Sequence, residues 1–96
     1  MTLEALVHTH KDAIKKIASS HGAHQIKLFG SVAQGKSNTN SDIDLLVSMN
    51  PGYSLLNIIA IKQDLEDLLG QNIDVVTESA ISPYIRDAIL KEAISL

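Results

Sequence analysis

The stretch that decides the fold is "LFGSVAQGKSNTNSDIDLLVSM", which runs from Leu28 to Met49. It places two carboxylates, Asp42 and Asp44, in one of the most apolar parts of the chain. Burying an unpaired carboxylate is costly in free energy, and a like charge beside it adds to that cost. A strand that only filled a core would have no use for both carboxylates, so the pattern calls for another explanation.

The alternation of side chains along a strand separates these carboxylates from the core. Asp42 and Asp44 point to one face, and Ile43, Leu45 and Val47 point to the opposite face, where helices can pack. A D-x-D pair alone is also explained as the exposed start of a strand. A divalent cation would turn the repulsion between the carboxylates into attraction, because Mg²⁺ prefers carboxylate, water and phosphate oxygens.

A third carboxylate, Asp74, favours the metal interpretation over the exposed strand start. It lies in "NIDVV", a second apolar strand in which Ile73 and Val75 point away from it. If the two strands are neighbours, Asp42, Asp44 and Asp74 share one end of the sheet. Three carboxylates can hold two metal ions about 4 Å apart, which suits in-line phosphoryl or nucleotidyl transfer.

The turn before these carboxylates is a candidate phosphate-binding segment. Gly30 lets the backbone approach a ligand closely, and Ser31 offers a hydroxyl and a backbone N–H that could begin a short helix. Lys36, in the loop that follows, is compatible with a flexible segment facing a phosphate and equally with a solvated turn.

Hydrophobic spacing and turn signals predict an α/β (α+β) domain with the order α-β-β-α-β-α, a small mixed sheet and helices packed on one face. The first helix is capped by Thr2 and ends at Gly22, and the last opens at Ser82 and Pro83 and includes the final "KEAISL". The other elements are strands at 25–29, 42–49 and 72–77 and a helix that follows Ser54 and ends at Gly70.

Length and composition limit the classes of function. The 96 residues are expected to form one domain, 1–96, with no cysteine for disulfides or thiolate metal sites. No stretch predicts a signal peptide or a membrane span, so we expect a cytoplasmic protein with no membrane partner. The net charge of −3 and the 3% aromatic content argue against direct nucleic-acid binding.

Gly30-Ser31, the Asp42-Ile43-Asp44 triplet and the later Asp74 together resemble the nucleotidyltransferase superfamily that includes DNA polymerase beta. The pattern "GS…SDIDLLV" is most similar to the minimal nucleotidyltransferases (MNT), the antitoxin half of HEPN/MNT toxin–antitoxin pairs. The resemblance covers nearly the whole chain.

The resemblance implies a role for each matching residue. Gly30 and Ser31 would bind the phosphates of ATP, the donor, and Lys36 is a further candidate for the same contact. Asp42, Asp44 and Asp74 would be catalytic and would coordinate two Mg²⁺ ions, with Asp74 also helping to deprotonate the attacking hydroxyl. The acceptor implied is a tyrosine of a cognate HEPN ribonuclease toxin encoded nearby, with which the chain could form an oligomer.

One part of the motif departs from the family. Many members carry arginine in "GSxARG", whereas this chain has "GSVAQG", with Val32 and Gln34 where basic residues are frequent. Glutamine donates hydrogen bonds without charge, and Lys27 or Lys36 could substitute, although lysine lacks the bidentate fork of arginine.

Three functions are therefore left open. The first is Mg²⁺-dependent AMP transfer from ATP to a partner protein, which silences a toxin. The second is a non-catalytic antitoxin that neutralises its partner by binding. The third is a nucleotidyltransferase for small, antibiotic-like molecules that needs a separate substrate-binding subunit.

Overall fold

A computed structural model describes residues 2–35 and 42–96 of the chain. They form five α-helices, one 3-10 turn and four strands. In chain order the elements are α1 (Leu3–Thr9), α2 (Lys11–Ser20), β1 (Ala23–Phe29), α3 (Gly30–Ala33), β2 (Ile43–Met49), α4 (Leu55–Leu69), β3 (Ile73–Thr77), the 3-10 turn (Glu78–Ala80), α5 (Pro83–Glu92) and β4 (Ile94–Ser95). The predicted mixed α/β fold is confirmed.

The four strands form one mixed sheet in the order β3-β2-β1-β4. Strand β1 is antiparallel to both β2 and β4, and β2 is parallel to β3. The parallel pair is connected through α4, because parallel neighbours need a long crossover. The sheet therefore places β2, which carries Asp44 and begins directly after Asp42, between β1 and β3.

The main core lies on one face of the sheet, as the alternation along β2 predicts. Ile43, Leu45 and Val47 are fully buried there against residues of α1, α2 and α4. Leu46, which points to the opposite face, is also buried but does not belong to this core cluster. The second face of the sheet is therefore partly covered rather than fully solvated.

The N-terminal segment forms two helices where the sequence predicts one. Thr2 caps α1 through its side chain, as expected, with a hydrogen bond of 3.0 Å from the Ala5 N–H. The break falls at His10, whose backbone leaves helical geometry and whose Nδ1 lies 3.0 Å from the Leu6 carbonyl oxygen. A ring nitrogen that competes for a helical carbonyl weakens the helix locally.

The caps of α4 follow the sequence closely. Ser54 and Asn57 form a reciprocal capping box at its start, and Gly70 ends it in the left-handed conformation with φ 64°. Lys62 and Glu66 then join the helix to β3, since the Lys62 amine donates to the Ile73 carbonyl at 2.8 Å and the Ile73 N–H donates to Glu66 at 3.2 Å.

The C-terminal prediction is wrong in part. We expected "KEAISL" to be the end of the last helix, but α5 ends at Glu92, and Ile94–Ser95 form a fourth strand beside β1. Leu28 and Lys27 of β1 pair with Ile94 and Ser95, so β4 satisfies backbone groups of β1 that would otherwise form an open edge. Helix α5 supplies no residue to the core cluster.

Within residues 2–35 and 42–96, no helix combines the length and apolar character that crossing a bilayer requires.

Candidate active site

The turn that joins β1 to α3 brings the backbone against a carboxylate of β2. Gly30 begins α3 with φ 76°, in the region that glycine adopts without strain. A Cβ at this position would collide with Asp44 Oδ2 and lie 3.1 Å from its Cγ. Glycine is therefore required here both by the backbone conformation and by the close approach of the Asp44 carboxylate.

The sheet register aligns two of the three predicted carboxylates. Asp44 of β2 is the direct partner of Asp74 on β3, and on its other side it pairs with Phe29 of β1. Residues directly opposite on neighbouring strands point to the same face. Asp44 and Asp74 therefore project together from the face opposite the main core, at the beginning of the two parallel strands.

The Asp44 carboxyl is electrostatically strained by its surroundings. Partial burial, repulsion from the carboxylates of Asp74 and Asp42, and a hydrogen bond with Asp74 raise the pKa of Asp44 from 3.8 to about 6. Each of these causes disfavours a second negative charge at this place. A bound cation would reverse the effect, because it attracts the same oxygens that now repel one another.

The three carboxylates fit a hard divalent cation by their chemistry, although they are not fully assembled. Asp42 immediately precedes β2 and is exposed, and its charge acts on Asp44. Within the two described ranges, no three side chains from His, Cys, Asp and Glu converge closely enough to hold a metal ion. Asp44 and Asp74 thus form a hydrogen-bonded pair, and Asp42 acts on Asp44 through its charge without converging with the pair.

The predicted phosphate-binding residues differ in their location. Ser31 lies half-buried in the first turn of α3, directly after Gly30, whose own Cα packs against Asp44. Helix α3 has only four residues, so its dipole is small. A phosphate at this turn would therefore have to be bound by the N–H groups that begin α3 and by the Ser31 hydroxyl. Lys36 lies outside the described residues.

One hydrogen bond beside this site could not be predicted from the local sequence. Gln34, at the end of α3, donates a hydrogen bond of 2.6 Å from Nε2 to Oε2 of Glu92 on α5. The two residues are 58 positions apart, so only the packed fold brings them together. The side chain that stands where the family often has a basic residue is thereby directed to a carboxylate.

Comparisons with known proteins agree with this geometry. The family described as "Polymerase beta, Nucleotidyltransferase" matches residues 12–96, which include both strands that carry the carboxylates. The chain belongs to the polymerase beta-type nucleotidyltransferase family. The nucleotidyltransferase class of enzyme and the resemblance to the MNT branch are therefore confirmed.

Curated relatives of this nucleotidyltransferase point in the same direction. Protein adenylyltransferase MntA of Thermococcus cleftensis is 33% identical over 92 residues, which cover 96% of this chain and 90% of the relative. A Methanocaldococcus jannaschii protein to which protein adenylyltransferase activity is attributed is 40% identical over 86 residues, or 90% of this chain and 92% of the relative.

Solved structures support the fold of this nucleotidyltransferase. A structure described as a minimal nucleotidyltransferase superposes with a TM-score of 0.89 and 40% identity over 100% of this chain and 97% of its own. A chain from the complex of a tri-AMPylated Shewanella oneidensis HEPN toxin with an MNT antitoxin matches with a TM-score of 0.69 and 19% identity, covering 92% of this chain and 69% of that one. At that identity the second match is a likeness of fold.

Proposed function

We propose that this chain is a protein adenylyltransferase, which moves AMP from ATP to a hydroxyl of a partner protein and thereby acts as an antitoxin. The observation that carries the proposal is the Asp44–Asp74 pair, aligned by register on the face of the sheet opposite the main core with the Gly30 turn packed against it. The similarity to MntA of Thermococcus cleftensis supports a protein as the acceptor.

The reaction breaks a phosphoanhydride bond of ATP and forms a phosphoester bond to the acceptor. The acceptor oxygen attacks the α-phosphorus of ATP, the bond from that phosphorus to the bridging oxygen breaks, and pyrophosphate leaves. Asp74, the more exposed member of the pair, would accept the proton of the attacking hydroxyl. Ser31 and the N–H groups that begin α3 would donate hydrogen bonds to the departing phosphates.

Asp42, Asp44 and Asp74 are the residues that would hold Mg²⁺. Two such ions would neutralise the charge that develops on the attacking and leaving oxygens. In this proposal a bound cation would offset the partial burial of Asp44 and the repulsion from Asp74 and Asp42, which raise the pKa of Asp44.

The acceptor that we propose is a tyrosine of a HEPN-domain toxin. A chain of this fold occurs in a complex with a HEPN toxin that carries AMP, and another in a toxin–antitoxin complex with AMP-PNP. We further propose that the toxin is encoded nearby, that the two proteins form an oligomer, and that they act in the cytoplasm, where ATP is available.

The test uses ATP labelled at its α-phosphate, Mg²⁺ and the HEPN-domain protein encoded beside this gene. Label should enter the partner with α-labelled ATP and should not with γ-labelled ATP, which separates AMP transfer from phosphorylation. Equal labelling by wild type and Asp42→Asn would contradict the proposed mechanism. Asp67→Asn, an exposed carboxylate on α4, is the matched control and should label the partner normally.

A non-catalytic antitoxin is the second candidate. The contact between Gln34 and Glu92 favours it, because this uncharged side chain is engaged within the protein rather than free for a phosphate. An Asp44→Asn, Asp74→Asn double variant that still neutralises the toxin fully would support this candidate over the enzyme.

A further inference from the structure

Lys27 is an unusual residue at the centre of the sheet. It is the only lysine or arginine within the four strands, and its strand, β1, is paired on both sides. Its direct partners are Leu46 on β2 and Ser95 on β4. A lysine side chain that is confined between two neighbours loses conformational entropy, which is unfavourable unless another interaction compensates for it.

The register places Lys27 on the same face as the carboxylates. Lys27 shares a face with its partner Leu46, and Leu46 shares a face with Asp44, which is two residues away on the same strand. Leu46 is buried yet absent from the main core cluster, which agrees with this assignment. Lys27 and Asp44 are diagonal neighbours, with Cβ atoms about 7–8 Å apart or slightly less.

The ammonium group of Lys27 is not used within the described part of the protein. Across residues 2–35 and 42–96, no carboxylate lies within 4.0 Å of it and no acceptor is hydrogen-bonded to it. Lys62, in contrast, donates to Glu66 at 2.9 Å and to the Ile73 carbonyl at 2.8 Å. Within residues 2–35 and 42–96 the Lys27 ammonium therefore has no partner, and its side chain starts on the face that carries the carboxylate pair, whereas Lys62 has a structural role.

A donor nucleotide would need such a charge. ATP would bring further negative charge to a face that already carries Asp42, Asp44 and Asp74, in a chain whose net charge is −3. The side chain of Gln34 supplies no charge and is bonded to Glu92. The ammonium group of lysine is a compact charge on a flexible stem, so it can contact a phosphate in more than one orientation.

We propose that Lys27 is a binding residue for the donor nucleotide and that its ammonium group contacts a phosphate oxygen of ATP. This assignment rests on the proposed function. Its alternative is purely structural, with the aliphatic stem of Lys27 covering Leu46 and the ammonium in solvent. Both alternatives require the aliphatic stem of Lys27, but only the first requires its charge. A variant that keeps the stem and removes the charge therefore distinguishes them.

The test is calorimetric binding of Mg-ATP to wild type, Lys27→Met, Lys27→Arg and Lys15→Met. Methionine keeps an unbranched stem and removes the charge, and Lys15, exposed on α2, is the control for lost charge elsewhere. We expect Lys27→Met to weaken ATP binding about tenfold or more, as for the loss of a charge-assisted hydrogen bond. Lys27→Arg should retain most of the affinity, and Lys15→Met should match wild type.

The outcomes separate this assignment from the proposed function. Wild-type protein that binds ATP, together with Lys27→Met that binds it equally well, would overturn the assignment alone. Wild-type protein without affinity for Mg-ATP would overturn both. Lys27→Met and Lys27→Arg that weaken ATP binding equally and also lower the melting temperature equally would show a role in packing and overturn the assignment.

Discussion

The carboxylate of Asp44 occupies the space that a Cβ on Gly30 would need. This relationship joins the two halves of the motif, the Gly-Ser turn and the D-x-D strand, at one point of the structure. It holds the N–H groups that begin α3 next to the Asp44–Asp74 pair, because no side chain separates the turn from β2. We therefore expect the turn to supply hydrogen-bond donors to a phosphate if the proposed nucleotide and cation bind at this pair.

Replacing Gly30 by alanine should damage both stability and activity. The φ of 76° and the collision with Asp44 together should cost about 1–3 kcal/mol in the free energy of unfolding, in line with strained backbone sites. Gly70→Ala is the matched control, since Gly70 has φ 64° but no atom within 4 Å of its Cβ position. Chemical denaturation of both variants checks this, and equal losses would show that the contact with Asp44 is unimportant.

The pKa of Asp44 predicts a pH dependence of stability in metal-free protein. A folded-state pKa of about 6, raised from 3.8 in the unfolded chain, gives stability that is present below pH 3.8 and lost as the pH rises through about 6. Asp44→Asn removes this loss, because asparagine stays neutral. In a chelator, the variant should be more stable than wild type at pH 7 and lose that advantage at pH 4.

Urea unfolding at several pH values checks this prediction. The difference in stability between Asp44→Asn and wild type should be present at pH 7 and should shrink as the pH falls through about 6 towards 3.8. An Asp44→Asn variant that is less stable than wild type at pH 7 would mean that the ionised carboxylate stabilises the metal-free fold.

Mg²⁺ should stabilise the folded protein at neutral pH. At a concentration 100 times its dissociation constant, a ligand that binds only the folded state adds about 2.7 kcal/mol. The melting temperature should rise with Mg²⁺ at pH 7.5 and rise less at pH 5, where Asp44 is protonated. The Asp44→Asn, Asp74→Asn variant should show no rise, and a rise equal to that of wild type would place the metal elsewhere.

Glu66 should have the opposite pH dependence. Its hydrogen bond with Lys62, followed by that with the Ile73 N–H, lowers the pKa of Glu66 below 4.5. The stability that it contributes is therefore present above pH 4.5 and is lost as the pH falls through the lowered value. Glu66→Gln should destabilise the protein at pH 7 and should approach wild type as the pH falls below the lowered pKa of Glu66, as measured by denaturant unfolding.

Much of the site could be predicted from local sequence signals. Alternation along "DIDLLV" separates Asp44 from Ile43 and Leu45, and the structure confirms that separation. Family membership confirms the nucleotidyltransferase class that the Gly-Ser and aspartate motifs indicate. These signals succeed because each depends on residues that are close in the chain.

The features that the sequence did not predict depend on long-range packing or on weak competition between a side chain and the backbone for the same carbonyl oxygen. The pairing of Ile94 with Leu28 joins residues far apart in the chain, and the same holds for Gln34 and Glu92. The break at His10 reflects one side chain competing for a helical carbonyl, an effect too small for periodicity to reveal. The functional roles assigned to the six predicted site residues stay predictions: Gly30, Ser31, Lys36, Asp42, Asp44 and Asp74.

The central claim, AMP transfer to a partner protein by the aspartate site, is tested most directly by the intact mass of the HEPN-domain partner. After incubation with wild-type chain, ATP and Mg²⁺, the partner should gain the mass of one or more AMP groups, located on tyrosine. The Asp44→Asn, Asp74→Asn variant should reduce the rate by about a hundredfold or more, as for other groups that stabilise transition-state charge. A partner of unchanged mass, or equal modification by this variant, would contradict the claim.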